Sequence, residues 1–176
     1  MTRPHAIGPR GVVVARVVSG GQTGADRGAL NAARALGLSH GGWCPRGRRA
    51  EDGRIPDCYQ LRETSSARYD VRTEQNVLDS DGTLIFFRHR PGAGTALTHR
   101  LVRRHGKPHR LVDLAAAYDI DEIRNWLTCH AIQILNVAGP RESSCAGIEA
   151  EVETVLRRIL GAGVPSLDGR NAPPRH

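Results

Sequence analysis

The chain has 176 residues, of which 39% are hydrophobic, and this fits one globular domain with a substantial core. No apolar stretch approaches the roughly 18 to 20 residues of a membrane span, and no secretory signal is evident, so we expect a cytoplasmic protein. The net charge of +7 comes almost wholly from arginine, but only 4% of the residues are aromatic and no nucleic-acid-binding motif occurs. These properties argue against membrane and nucleic-acid partners and favour a small anionic ligand.

The four cysteines are widely spaced and form no Cys-x-x-Cys pair, so we expect reduced thiols and no metal site. Polar ends rich in proline predict flexible tails at residues 1–10 and 164–176. The intervening residues 11–163 are expected to form a single domain.

The chain alternates apolar runs with segments of helical periodicity. Strands are predicted at 12–18, near 42–44, and at 82–87, 111–114 and 132–137. Helices are predicted at 25–36, 67–78, 95–105, 121–129 and 148–160, and a long polar loop at 45–56. Strands that alternate with helices are typical of a parallel α/β sheet, here with about five strands.

The most informative segment is the glycine-rich junction at residues 19–26, between the first strand and the first helix. Glycines allow a sharp turn and close approach to a ligand, and a helix start presents unpaired N–H groups to an anion. No Gly-Lys-Ser/Thr follows, Lys107 is the only lysine, and Gly-x-Gly-x-x-Gly is absent, so it is neither a P-loop nor a dinucleotide fingerprint. An ordinary tight turn is the alternative. The candidate phosphate-binding residues here are Ser19, Gly20, Gly21, Gln22, Thr23, Gly24 and Asp26; Asp26 could also simply complement the helix dipole.

Two further strand-to-helix loops have a similar composition. Gly94 and Thr95 follow the strand at 82–87, and Gly139, Arg141 and Ser143 follow the strand at 132–137. Right-handed crossovers would place all three loops at the carboxyl edge of the sheet, where open α/β folds bind ligands. We therefore expect them to meet one ligand together.

The polar loop at 45–57 contains the other candidate site residues. Arg46 and Arg48 could clamp an oxyanion, and Glu51 or Asp52 could act as an acid or base. A solvated loop held by internal ion pairs is the alternative. No Gly-x-Ser-x-Gly elbow supports nucleophilic catalysis.

Five motifs occur in an order that resembles one known family. They are residues 19–26 (SGGQTGAD), 41–53 (GGWCPRGRRAEDG), 79–83 (DSDGT), 94–98 (GTALT) and 136–143 (NVAGPRES). Together they resemble the "putative molybdenum carrier" family, also classed as circularly permuted YpsA-like members of the SLOG superfamily, over roughly residues 15–160. The resemblance implies a Rossmann-like, three-layer α/β/α sandwich that forms a homo-oligomer, a dimer or tetramer.

The resemblance also implies a ligand. A related carrier is thought to hold molybdenum cofactor (molybdopterin), so molybdenum cofactor or a nucleotide becomes the candidate ligand of a carrier protein. Residues 91–95 (PGAGT) look similar to the Pro-Gly-Gly-x-Gly-Thr motif of the LOG phosphoribohydrolases. The acidic residue expected soon after that threonine is missing, because Ala96, Leu97 and Thr98 follow, which puts N-glycoside hydrolysis in doubt. A nucleotide hydrolase and a nucleotide sensor stay as alternatives.

Overall fold

A computed structural model describes residues 14–161. The two predicted tails, the first residues of the predicted domain and first strand, and residues 162–163 lie outside the described residues. The strands are β1 (Arg16–Val18), β2 (Ser39–Gly41), β3 (Trp43–Cys44), β4 (Arg49–Ala50), β5 (Gly53–Arg54), β6 (Arg62–Glu63), β7 (Gly82–Phe87), β8 (His109–Asp113) and β9 (Ile134–Ala138). The helices are α1 (Ala25–Ala35), α2 (Tyr69–Leu78), α3 (Ala93–Arg104), α4 (Ile120–Cys129) and α5 (Ile148–Leu160).

Five strands form a parallel sheet in the order β2-β1-β9-β7-β8. The last strand in sequence, β9, is the central strand: Val17 of β1 pairs with Leu135, and Thr83 of β7 pairs with Asn136. Since all five strands run the same way, the segments after β1, β7 and β9 leave the sheet at one edge. The expected α/β fold with five parallel strands is confirmed.

Helices cover both faces of the sheet. On one face, Leu84 and Phe86 of β7 pack in a core with residues of α1, α4 and α5. On the other face, Ile85 packs with Val77 of α2 and Val102 of α3. This division follows from the alternation of side chains along a strand and gives the three layers of an α/β/α sandwich. No helix in residues 14–161 has the length and apolarity needed to cross a membrane.

The second predicted strand is only partly correct. The sheet strand is Ser39–Gly41, whereas Trp43–Cys44 pairs with Arg62–Glu63 in a separate two-stranded ladder. Gly42 separates them with a φ of 122°, and a Cβ there would lie 2.3 Å from the carbonyl oxygen of Ser19. The chain therefore turns away from the sheet at Gly42, because only glycine fits this conformation and this close approach. The expected loop at 45–56 contains a small antiparallel hairpin, β4–β5.

The remaining predicted elements are confirmed within a few residues. The strand at 82–87 and the helix at 148–160 have the predicted bounds, and the other helices begin or end one or two residues away. These segments have clear periodicity and glycine or polar residues at their ends, which makes them readable from sequence.

Candidate functional site

A cavity of about 330 Å³ lies at the carboxyl edge of the sheet. It is bounded by the segments that follow β1, β7 and β9, and by the first half of α2. Its lining residues are Gln22, Asp26, Tyr69, Arg72, Thr73, Gly92, Ala93, Gly94, Thr95, Leu97, Thr98, Ala138, Gly139, Pro140, Arg141 and Ser144. The three glycine-rich loops therefore meet around one space, as the sequence predicts.

The protein's own side chains fill the first glycine loop. The Arg72 guanidinium covers Gly20, where a Cβ would lie 1.8 Å from Nη1, and Leu61 covers Gly21, where a Cβ would lie 2.4 Å from Cδ1. Ser19 is fully buried and donates to the carbonyl oxygen of Val137 at 2.7 Å, which ties the end of β1 to β9. The glycines of this loop accordingly make room for protein groups.

The N–H groups of residues 22–25, just before and at the start of α1, also have partners inside the protein. Gln22 N–H donates to Asp26 Oδ2 at 3.2 Å, and Gly24 N–H donates to Glu149 Oε2 at 3.3 Å. Thr23 N–H donates to Gln22 Oε1 at 3.1 Å. Ala25 N–H donates to the carbonyl oxygen of Pro140 at 3.0 Å. Two of the four N–H groups that open the helix, those of Gly24 and Ala25, therefore already have acceptors within the protein.

The start of α3 is different. Gly92 is its N-cap and offers no side-chain cap, and a Cβ on Gly92 or Gly94 would meet no atom within 4 Å. The first-turn backbone of this 12-residue helix therefore faces open space at the cavity, together with Thr95. The helix dipole adds partial positive charge at this end. Unlike the first loop, this one has a helix start that no side chain covers, which is the geometry that suits an anion.

The charged groups of the cavity come from three elements. Asp26 on α1 is 4% exposed and lies with Oδ2 3.1 Å from Nη1 of Arg72 on α2. Arg141, in the β9–α5 loop, stacks its guanidinium over the ring of Tyr69, with Cζ 5.0 Å from the ring centroid. Two arginines and one aspartate line the cavity, so its local charge is net positive. Because Asp26 pairs with Arg72, the net positive charge of the cavity is that of Arg141.

Arg46 and Arg48 do not line this cavity. Arg46 has an exposed side chain, and its backbone N–H donates to the carbonyl oxygen of Ser66 at 2.9 Å. Arg48 is 8% exposed and inserts into its own loop. Its guanidinium donates to the carbonyl oxygens of Ile55, Pro56, Tyr59 and Leu61 at 2.8 to 3.3 Å. Arg48 therefore stabilises the segment 45–61 through these hydrogen bonds. Its guanidinium does not line the cavity, contrary to the expectation that it clamps an anion there.

Glu51 is a link between three loops. Its carboxylate accepts from the hydroxyls of Thr23 and Ser143 and from Ser143 N–H, and its own N–H donates to Gln22 Oε1 at 2.9 Å. Hydrogen bonds from Ser143 and then Thr23 hold the pKa of Glu51 below its ordinary value. A carboxylate that stays ionised is a poor general acid, since that role needs a raised pKa.

Asp52 pairs with an arginine of α1. It accepts from Nη1 and Nη2 of Arg27 at 2.6 and 2.8 Å, and these bonds hold the pKa of Asp52 below its ordinary value. Neither Asp52 nor Glu51 lines the cavity. The two acids fasten the β4–β5 hairpin to α1 and to the β9–α5 loop.

Several cavity residues were not predicted from the sequence, above all Tyr69, Arg72 and Thr73 of α2. Their spacing places them on one face of the helix, together with Asn76, whose amide binds the backbone of Trp43. That face could have been found from the spacing alone, but nothing in the sequence says that it meets the glycine loops. Thr98, one turn along α3 from Gly94, was missed for the same reason.

Comparison with known proteins agrees with this architecture. Residues 17–160 match the model of the circularly permutated YpsA SLOG family. Among solved structures, the crystal structure of a putative molybdenum carrier protein from Syntrophus aciditrophicus SB is similar, with a TM-score of 0.83 and 42% sequence identity. The match covers 86% of this chain and 98% of that chain. No curated protein matches the sequence.

Proposed function

Because the chain belongs to the circularly permuted YpsA SLOG family, we propose that it is a carrier or binding protein for a phosphorylated, nucleotide-like ligand. Molybdenum cofactor is the first candidate, since the similar crystal structure bears the name of a putative molybdenum carrier. The observation that supports the proposal most directly is the open start of α3 at a net positive cavity.

The phosphate would lie against the first turn of α3. Backbone N–H groups and the Thr95 hydroxyl can donate to its oxygens, and Arg141 can add a charge-assisted hydrogen bond from the facing loop. No protein side chain would have to leave for this, because open space adjoins Gly92 and Gly94.

Binding is favoured over hydrolysis by the acids that the cavity contains. Asp26 is the one acidic residue that lines it in the described part of the chain, and Arg72 and the Gln22 N–H engage its carboxylate. A hydrolase would need a carboxylate free to move a proton near the substrate. Glu51 and Asp52 are held elsewhere by Ser143 and Arg27.

The test is to identify small molecules released from freshly purified protein by mass spectrometry, with elemental analysis for molybdenum. In parallel, 5′-AMP, 5′-GMP and inorganic phosphate are titrated by calorimetry. We expect a phosphorylated compound in the released fraction and measurable binding of a phosphorylated probe. Absence of both would overturn the proposal.

The variant Gly94→Asp tests whether the phosphate binds at the start of α3. Its side chain has room, but its carboxylate would stand at the anion seat, so binding should be lost while the fold persists. Ala117→Asp adds the same charge at an exposed position outside the cavity and should bind like the wild type. Size-exclusion chromatography with light scattering on the same samples tests the predicted homo-oligomer.

A further inference from the structure

A second cavity, of about 270 Å³, lies apart from the one at the carboxyl edge of the sheet. Arg16 of β1 pairs with Ile134 of β9, and the alternation of side chains puts both on the face of the sheet that α2 and α3 cover. The cavity lies between that face, the C-terminal end of α2 and the β3–β6 ladder. Its lining residues are Arg16, Val18, Gly42, Trp43, Arg62, Asn76, Asp79 and Ile134, none of which lines the first cavity.

Two arginines of this cavity have no counter-ion among the described residues. Arg16 is half-buried and Arg62 is exposed, and neither guanidinium forms an ion pair within residues 14–161. The one carboxylate on the wall, that of Asp79, accepts from Trp43 Nε1 at 2.7 Å and from Gln75 Nε2 at 3.1 Å. The wall therefore has a net positive charge.

The guanidinium of Arg62 is held at the cavity by an aromatic ring. Its Cζ lies 4.9 Å from the centroid of the Trp43 ring. Stacking on a ring uses the face of a guanidinium, whereas the N–H donors lie in its plane and point away from the edge. The Arg62 donors therefore stay available to an acceptor in the cavity.

The guanidinium of Arg16 also has donors that a ligand can reach. It lies against the end of β2, where a Cβ on Gly41 would be 2.2 Å from Nη2. Its Nε is buried without a partner. Nη1 and Nη2 also make no hydrogen bond within residues 14–161, but they are not among the buried unpaired atoms, so they contact solvent. Because Arg16 lines the cavity, these outer N–H groups can bind a molecule there.

The position of Arg16 on the sheet favours an anionic partner. Side chains on the covered face of a parallel sheet are mostly apolar, as Val18 is two residues along the same strand. A half-buried cation without a counter-ion is costly, and a bound anion would remove that cost. The guanidinium fork matches the paired oxygens of a carboxylate or a phosphate.

We propose that this cavity is a second ligand site, which binds a small oxyanion, a carboxylate or phosphate group, through Arg16 and Arg62. Its volume is below the roughly 300 Å³ at which pockets for larger ligands begin, so the ligand is smaller than a nucleotide. The site is independent of the phosphate site at α3, because the two cavities share no lining residue. Trp43 positions one of the two arginines.

The indole N–H of Trp43 reports on this site in an NMR titration of the full chain. The sequence has two tryptophans, and Trp126, which does not line the cavity, is the internal reference. Trp126→Phe assigns the two signals. The probes are malate and inorganic phosphate, and we expect a saturable shift of the Trp43 signal with at least one of them. The tighter probe distinguishes a carboxylate from a phosphate ligand. No saturable shift with either would overturn the inference.

Arg62→Gln and Arg16→Gln test the two guanidiniums. Each should weaken the better probe by at least about tenfold, as expected for the loss of a charge-assisted hydrogen bond. Arg16→Lys keeps the charge but not the fork, so it should weaken binding less than Arg16→Gln. Arg100→Gln removes the same charge at an exposed position outside both cavities and should bind like the wild type. Equal weakening by all three glutamine variants would show only a general charge effect and would overturn the inference.

Gly94→Asp separates this site from the proposed function. That variant should lose the phosphate site at α3 and keep the saturable shift of the Trp43 signal. If the shift disappears in Gly94→Asp, it arises from the first cavity, and this inference fails while the proposed function stands. If Trp43 responds to malate or phosphate but calorimetry detects no nucleotide and purified protein releases no phosphorylated compound, the proposed function fails and the second site stands.

Discussion

The guanidinium of Arg72 occupies the position beside Gly20 where any other residue would place its side chain, with Nη1 1.8 Å from an added Cβ. The same guanidinium pairs with Asp26, in the first turn of the adjacent helix α1. Gly20 is thus required by an arginine from a distant part of the chain. The first glycine loop therefore packs against Arg72 of α2, while the phosphate site that we propose lies at the start of α3.

Gly20→Ala should lower the free energy of unfolding by about 1 to 3 kcal/mol, because the Arg72 side chain must move. In an Arg72→Ala background the same substitution should cost clearly less, since the obstructing atoms are gone. Urea unfolding of the two single variants and the double variant measures this coupling.

Gly24→Ala is the control for that cycle. Its Cβ would lie 2.4 Å from the backbone oxygen of Pro140, and its φ of 80° is unfavourable for alanine. We expect a loss of at least about 2 kcal/mol that Arg72→Ala does not relieve. Equal relief for both glycines would contradict the packing described here.

Arg141→Gln should weaken the binding of a phosphorylated probe by about 10- to 150-fold, the value of a charge-assisted hydrogen bond. Arg46→Gln, a change of the same chemistry outside the cavity, should alter affinity by less than about twofold. Calorimetry with the best-binding monophosphate distinguishes the two. A larger effect at Arg46 would favour the interpretation based on sequence alone.

Arg48→Lys should destabilise the fold without changing the affinity of the folded protein. Lysine cannot reproduce the guanidinium bonds to Ile55, Pro56, Tyr59 and Leu61, so we expect a loss of about 1.5 to 3 kcal/mol. Arg49→Lys, at an exposed position, should be near neutral. Thermal or urea unfolding gives the stabilities, and a loss of affinity in folded Arg48→Lys protein would contradict the bracing role.

Glu51 gives the hairpin an acid-sensitive attachment. Its pKa is lowered in the folded protein by Ser143 and Thr23, so its contribution to stability is complete above the ordinary glutamate value of 4.5 and is lost as the pH falls through the lowered value. Glu51→Gln should therefore be less stable than the wild type near neutral pH, and the difference should shrink in acid.

Exposed Glu63, whose side chain makes no hydrogen bond in the described part of the chain, is the matched control for Glu51. Glu63→Gln should follow the wild-type pH profile. A stability difference for Glu51→Gln that stays constant from neutral pH into acid would show that its carboxylate does not make these bonds.

Sequence alone predicted most of the fold because the signals are local. The apolar strand at Gly82–Phe87 and the amphipathic helix at Ile148–Leu160 each contain their own periodicity and end signals, so their bounds could be read directly. The alternation of strands and helices also predicted a parallel sheet, and the three glycine loops that follow its strands must then lie at the same edge.

The roles of individual site residues depended on contacts between distant segments. Gly20 and Gly21 have the composition of a phosphate loop, but Arg72 and Leu61 cover them. Arg46 and Arg48 are adjacent in the same motif, yet one is exposed and the other is buried among carbonyl oxygens. No local pattern encodes these differences.

The elements, the parallel sheet and the three loops at its edge can be read from the sequence, because periodicity, glycine and helix-start chemistry act over a few residues. Which of these loops stays uncovered depends on contacts between distant segments. The tertiary structure inserts β9 between β1 and β7, which brings Arg141 to the cavity, and it lays the Arg72 face of α2 over the first loop. The loop before α1 is thereby covered by protein side chains, whereas the start of α3, where we propose that the phosphate binds, has open space beside Gly92 and Gly94.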